Sequence, residues 1–210
     1  MATPLAHGLA GYAVGLLAAG SRQAPDSMRM AAAVAAALAA DLDIVPGLLV
    51  GTPARFHQGV SHSLAAAVIL ATLGALVAAF RSRPPGPIFL VVFAAYTSHL
   101  LLDIAGSDRR PPYGIPLLWP LTSATFQAPF PVLMGMSHAA HADDGLRTWL
   151  SGVLSWHNVR ALAVEAALMS PLVVGVRRMT RRHRADAAVP GAIYPPREPE
   201  GRARKVPPGE

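Results

Sequence analysis

From Ser63 to Phe80 the chain runs without a charged residue or a proline, and this stretch constrains the fold more than any other. Wound as a helix rising 1.5 Å per residue, it would span about 27 Å, close to the hydrocarbon thickness of a bilayer. Four further apolar stretches share its character: Leu5 to Gly20, Met28 to Val50, Pro87 to Ala105 and Ala161 to Val176. The chain is 52% hydrophobic and only 14% charged, whereas soluble domains carry about 25% charged residues. That is too little charge to cover a water-facing surface, and the excess of alanine and leucine favours helices over strands. The expected fold is therefore all-α, a multi-pass membrane bundle of about five apolar helices.

The segments between these stretches differ in kind. Arg81-Ser82-Arg83-Pro84-Pro85-Gly86-Pro87 reads as a tight turn joining the third and fourth. Gly106 to Arg160 holds many prolines, scattered histidines and no long apolar run, so it is expected to be extramembrane with short helices. Residues 1–184 form one membrane-embedded domain on this reading. From Ala185 to Glu210, prolines, arginines and glutamates replace apolar residues, the composition of a disordered tail. The first stretch lacks a basic start and a cleavage site and does not read as a signal peptide. Its Gly8, Gly11 and Gly15 suit close packing against another helix.

Charge distribution orients the helices. Arg22 and Arg29, then Arg81 and Arg83, then the run from Arg177 to Arg184 all place their turns in the cytoplasm by the positive-inside rule. Five helices alternate on that scheme with the N-terminus outside and the C-terminus inside, while Arg109 and Arg110 fall on the outer side and oppose the bias. The net charge of +6 thus reflects membrane-flanking arginines rather than a basic face interleaved with aromatics, and no nucleic-acid partner is expected. The chain has no cysteine. Thiolate zinc sites and cysteine nucleophiles are excluded, leaving His, Asp and Glu as the metal ligands available.

On that topology the polar residues converge. His7 begins the first stretch, Asp41 and Asp43 end the second, His57 and His62 precede the third, and His99 and Asp103 close the fourth. All fall at the outer ends of their helices. His99 and Asp103 stand four residues apart, one above the other on a helical face, so both can reach one metal. A buried aspartate in an apolar helix marks a functional site by default, although the two could instead form a structural hydrogen-bonded pair. Asp41 and Asp43 could simply mark a solvated helix exit, but acidic groups at a helix C-terminus oppose the macrodipole and suggest a nearby cation. The block His57-Gln58-Gly59-Val60-Ser61-His62-Ser63 brings two imidazoles around a glycine, or is a plain polar loop. His138, His141, Asp143 and Asp144 read as a solvated loop. His157 remains unassigned, and Glu165, which interrupts the fifth apolar stretch, is a candidate ligand or general base.

These residues resemble the YdjM-like family of inner-membrane-associated, predicted metal-dependent hydrolases, also described as LexA-binding. The resemblance is carried by His7-Gly8, Asp41-Leu42-Asp43, the histidine block from His57 to Ser63, and Ser98-His99-Leu100-Leu101-Leu102-Asp103, continuing into Gly114-Ile115-Pro116-Leu117-Leu118-Trp119-Pro120. It runs from residue 7 to about residue 122. The family usually has arginine where Gln58 stands and often threonine at Ser61. The order of histidines and aspartates is also similar in pattern to the zinc-dependent phospholipase C and P1 nuclease group.

The resemblance implies a membrane-bound metal-dependent hydrolase of the inner (plasma) membrane, acting on phosphoesters or lipid head groups. On this expectation His7, Asp43, His57, His62, His99 and Asp103 hold a divalent metal, zinc first, with manganese or iron also suited to nitrogen and oxygen donors. Asp41 and Glu165 stand as candidate catalytic carboxylates, and Asp103 is placed to bridge if two metals bind. The metal site would face the non-cytoplasmic side. Membrane lipid, a small-molecule or lipid substrate, and a regulatory protein are the expected partners. The alternative is a non-enzymatic membrane protein that binds metal or a regulator.

Overall fold

The computed structural model describes residues 1–19, 26–108, 110–138 and 141–188. Arg22, Arg109 and the tail from 189 onward lie outside the described residues. Among the described residues seven α-helices follow one another: α1 (Pro4–Ala18), α2 (Ser27–Leu38), α3 (Ile44–Leu49), α4 (Leu64–Phe80), α5 (Pro85–Ala105), α6 (Leu146–Val153) and α7 (Trp156–Ala188). Two 3-10 turns interrupt them, Ala39–Asp43 and Val60–His62. Among the described residues there is no strand beyond two isolated bridges, Gly106 with Leu133 and Ile115 with Phe126.

Local chemistry starts the helices. Thr3 caps α1, its side chain accepting from Ala6 N at 3.2 Å, with Pro4 in the first turn where its missing N–H costs nothing. Asp26 caps α2 through Met28 N at 3.0 Å, and Ser63 caps α4 through Ala66 N at 3.2 Å. The stretch expected as one run from Met28 to Val50 instead tightens at Ala39–Asp43 before resuming as the short α3. Mid-helix 3-10 geometry often accompanies a functional position, and here it carries both Asp41 and Asp43. After α3 the chain folds back so tightly that a Cβ at Gly47 would stand 2.5 Å from Pro53 O. The fifth apolar stretch is part of a longer helix, since α7 begins at Trp156 and continues through residues 185–188.

At the centre of the bundle, α5 packs against α1, α2 and α4, while α1 also packs against α7. The α1–α2 contact depends on small residues. A Cβ at Gly11 would lie 2.7 Å from Ala37 Cβ and 2.8 Å from Ala33 O, and one at Gly15 would lie 2.6 Å from Met30 Sδ. Backbones can approach this closely only where side chains are absent. Behind them, Ala33, Ala36, Ala37, Ala71, Val91, Val92 and Ala95 form a core of small and β-branched residues.

Much of the large apolar surface faces outward instead. On α4, Val68, Ile69, Leu73, Leu76 and Val77 are exposed, and α7 exposes Leu162, Leu168, Leu172 and Val174. A contiguous apolar surface of this kind marks an interaction site, here suited to lipid. Among the described residues three segments are long and apolar enough to cross a membrane: Ser27–Leu49, Pro85–Ala105 and Trp156–His183. The apolar helices Pro4–Ala18 and Leu64–Phe80 are shorter. At 17 residues α4 extends only about 26 Å, so the cleanest apolar stretch in the sequence is not among the three longest spans.

The irregular segment after α5 is tied to the bundle through its backbone. Ala128 N donates to Ile104 O at 2.8 Å, Leu133 N to Ala105 O at 3.1 Å, and Met136 N to Met1 O at 2.9 Å. These bonds hold the segment against the end of α5 that carries His99 and Asp103.

Candidate metal centre

Five side chains from four places in the chain meet at one end of the bundle. His7 comes from the first turns of α1, Asp41 from the first 3-10 turn, His62 from the second, and His99 and Asp103 from the last turns of α5. The i, i+4 pair faces inward as its spacing requires, with His99 Nε2 3.1 Å from Asp103 Oδ2. His62 Nε2 approaches the same Oδ2 at 3.4 Å, and His7 Nε2 lies 3.2 Å from Asp103 Oδ1. Asp41 Oδ1 stands 3.6 Å from His62 Nε2 and 3.7 Å from His99 Nε2. The His7 and His99 rings stack with centroids 3.7 Å apart.

The polar atoms at the middle of this cluster have no hydrogen-bond partner. His7 Nε2, His62 Nε2, His99 Nε2, Asp41 Oδ1 and Asp103 Oδ2 are all buried and unsatisfied. They approach one another, but none is aligned to donate or accept. An unsatisfied buried polar group costs about 1–3 kcal/mol, and several pointing at one spot need a common partner. Three overlapping groups draw their donor atoms within 4.8 Å of one another: His7, Asp41 and His99; Asp41, His57 and His62; and His62, His99 and Asp103. Nitrogen and carboxylate oxygen donors in this arrangement suit a divalent cation.

The outer atoms of His62, His99 and Asp103 are anchored, whereas His7 Nδ1 has no hydrogen-bond partner. His99 Nδ1 donates to Ala37 O at 2.8 Å, which leaves Nε2 with its lone pair toward the centre. Asp103 Oδ1 accepts from Ala2 N at 3.0 Å. Asp43 faces the other way from Asp41. Its Oδ1 pairs with His57 Nδ1 at 2.6 Å, while its Oδ2 lies 3.2 Å from His62 Nδ1 and accepts from Ser61 Oγ at 2.6 Å and Gln58 N at 3.1 Å. A carboxylate on the outer ring nitrogen fixes tautomer and orientation, so Asp43 aims two imidazoles rather than meeting the convergent atoms itself. His57 contributes to one of the groups, and its Nε2 also lies 2.7 Å from Met1 Sδ.

Burial alone would push the His62 imidazole down. The carboxylates of Asp41 and Asp43 beside it outweigh that and hold it up at about 10. The site therefore attracts positive charge strongly, and a proton and a metal would compete for His62 Nε2. His138 shows the opposite balance, pushed down to about 3 by burial, with His57 and Arg110 nearby.

Not every candidate joins the cluster. Glu165 is fully buried on α7, but its two oxygens accept from Thr3 N at 2.6 Å and Gly135 N at 3.0 Å. It ties the segment leading into His7 to the irregular segment and stands apart from the three groups. His141 and Asp143 are exposed, as a solvated loop requires, yet His138 departs from that expectation by packing its ring 5.2 Å from His57. His157 Nε2 bonds to Gly135 O at 2.9 Å.

Other contributors carried no sequence signal. Arg110 is buried and donates to Ala54 O and His57 O, both at 2.7 Å, holding the loop that presents His57. Tyr96 Oη donates to Ser61 O at 2.6 Å from one turn before His99. These contacts join residues 35 to 56 positions apart, and no local pattern foretells them.

The model of the YdjM inner membrane protein family matches residues 1–184. The chain belongs to that family. No curated protein and no solved structure matches it. The matched span covers every residue of the His–Asp centre and all three long apolar segments. Membership of the YdjM inner membrane protein family agrees with those segments and with the apolar surfaces of α4 and α7, and the chain is a membrane protein.

Proposed function

We propose that this YdjM-family chain is a membrane-bound hydrolase that uses a divalent metal to cleave phosphoesters or lipid head groups at the bilayer surface. One observation carries the reading: five unsatisfied buried ligand atoms, from His7, Asp41, His62, His99 and Asp103, fall in overlapping groups at one end of the bundle. Zinc is the first choice, and manganese or iron suits the same donors. Two ions sharing a carboxylate would also fit the overlapping groups, Asp41 and Asp103 being the carboxylates placed among the imidazoles. Bound there, a divalent ion supplies Lewis acidity, polarising a phosphoryl oxygen and easing loss of a proton from water.

The chain's own residues do the rest. Asp43 and Ala37 O orient the imidazoles through their Nδ1 atoms. The Asp41 side chain is 21% exposed, against none for Asp103, so with Oδ1 turned to the cluster its second oxygen is the carboxylate oxygen that incoming water would reach and the one that would take its proton. A cleft of about 520 Å³ lined by Asp43, His57, Ser61 and Arg55 lies beside the residues that orient the imidazoles, and Arg55 offers an anionic substrate a positive charge. Glu165, with both oxygens engaged by backbone amides, positions the N-terminal segment and is not the base.

The arginines at 81, 83 and 177–184 support a bundle of five crossing helices with the C-terminus in the cytoplasm and the metal centre toward the other face. Purified protein should hydrolyse a chromogenic phosphodiester, or release head groups from phospholipid vesicles. Chelation should abolish this and added zinc restore it. A second reading, a non-enzymatic metal-binding or regulator-binding protein, is favoured by the complete burial of His7, His62 and His99, because structural metal sites are closed. Metal bound tightly without turnover of any phosphoester would select that reading.

A further inference from the structure

A second feature, independent of any hydrolase, has its charged mouth at the end of the bundle opposite the His–Asp centre. A cavity of about 520 Å³ runs between α2, α4 and α5. Alanines at 32, 35 and 36 leave it open along α2, and Val77 and Ile88 line its far wall. It extends from Met28 on α2 to Leu42 in the 3-10 turn, about 23 Å, longer than the ~15 Å depth of one leaflet in a ~30 Å hydrocarbon core. At one end only, three arginines close it: Arg29, Arg81 and Arg83.

These guanidiniums outnumber their counter-charges. Asp26 is the acidic residue beside them, 4.0 Å from Arg29 Nε and 3.6 Å from Arg83 Nη1. Arg81 is exposed and makes no ion pair among the described residues. A long apolar slot with excess positive charge at one mouth matches a molecule with an apolar chain and an anionic head.

We propose that this groove binds an anionic phospholipid, with an acyl chain along α2 and the phosphate held by Arg81 and Arg83. Basic pockets between membrane helices recognise anionic head groups in this way. The head group lies at the opposite end of α2 from Asp41, so this lipid is a bound companion of the fold and not a substrate for the metal centre.

Native mass spectrometry of the full chain in detergent, titrated with phosphatidylglycerol or with phosphatidylcholine of the same acyl chains, tests the assignment. Wild type should retain phosphatidylglycerol preferentially. The double variant Arg81→Gln, Arg83→Gln should lose that preference by about fivefold for each arginine removed, at roughly 1 kcal/mol each, while still holding phosphatidylcholine. Filling the slot with Ala32→Leu and Ala35→Leu should reduce retention of both lipids. Equal retention of the two lipids by wild type, or an unchanged preference in the arginine variant, would overturn the proposal. Undiminished binding in a folded alanine variant would do the same. If that variant loses its helicity, the arginine variant decides alone, since both its altered side chains are exposed.

Discussion

Along α1, Gly11 and Gly15 lie against Ala33, Ala37 and Met30 of α2, while His7, one turn earlier, lies against His99 and Asp103 of α5. Both regions are buried, the first joining α1 to α2 and the second joining α1 to α5. The glycine region is complete as it stands, with small groups in contact and no polar side chain to satisfy. In the histidine region imidazoles and carboxylates point inward with no hydrogen-bond partner. Tight packing between apolar helices evidently needs no charge in this protein, so the polar end exists for something other than holding helices together. The two regions should therefore respond differently to the same kinds of perturbation.

The largest effect is expected at the glycine region. Gly11→Leu must push α1 away from Ala37 and Ala33, where even a Cβ would stand within 2.8 Å. Overpacking of this kind costs about 3 kcal/mol at the upper end of its usual range. Melting temperature and metal content should fall together, because His7 is carried on the same helix. Unchanged melting would show that the close α1–α2 approach is not what stabilises the bundle.

Glu165→Gln should come next, and should separate stability from metal. The amide offers one acceptor where the carboxylate supplies two, leaving Thr3 N or Gly135 N unpaired at about 1–3 kcal/mol. The protein should melt earlier yet keep most of its metal. Loss of metal without loss of stability would instead return Glu165 to the role of ligand.

Asp43→Asn is expected to do the reverse at smaller cost. The amide keeps the size but weakens the grip on His57 Nδ1 and His62 Nδ1, and outer partners of this sort are worth ten- to a hundredfold in metal affinity. Zinc titration should show weaker binding with little change in the melting of the metal-free protein. Binding abolished outright would make Asp43 a direct ligand.

How much of this was legible beforehand follows from the range of the interactions. His99 and Asp103 share a helical face by spacing alone, and the alternation of apolar stretches was enough to bring His7 and the histidine block to the same end. Asp41 and Asp43 were visible as a pair, but their division of labour was not. It depends on the 3-10 turn at Ala39–Asp43, in an alanine-rich run whose propensity favours an unbroken helix. Ala37 O, one turn before Asp41, accepts from His99 on another helix, and such a contact has no local sequence mark. The contacts of Arg110 and Tyr96 escaped notice for the same reason, as did the place of His138 beside His57. Helix limits shifted too, because the start of α7 at Trp156 and its continuation to Ala188 lie outside the apolar pattern that announced it.

The central claim is that the converging His and Asp atoms hold a metal, and metal per chain measured on purified wild type and Asp103→Asn tests it most directly. Asp103 lies within 3.4 Å of His7, His62 and His99 through its two oxygens. Its conversion to asparagine removes the charge that balances a cation while preserving size. Wild type should carry a divalent ion, zinc first, and Asp103→Asn should lose nearly all of it while remaining helical. Equal metal content in the two proteins, or a wild type that takes up no divalent ion when offered one, would contradict the account.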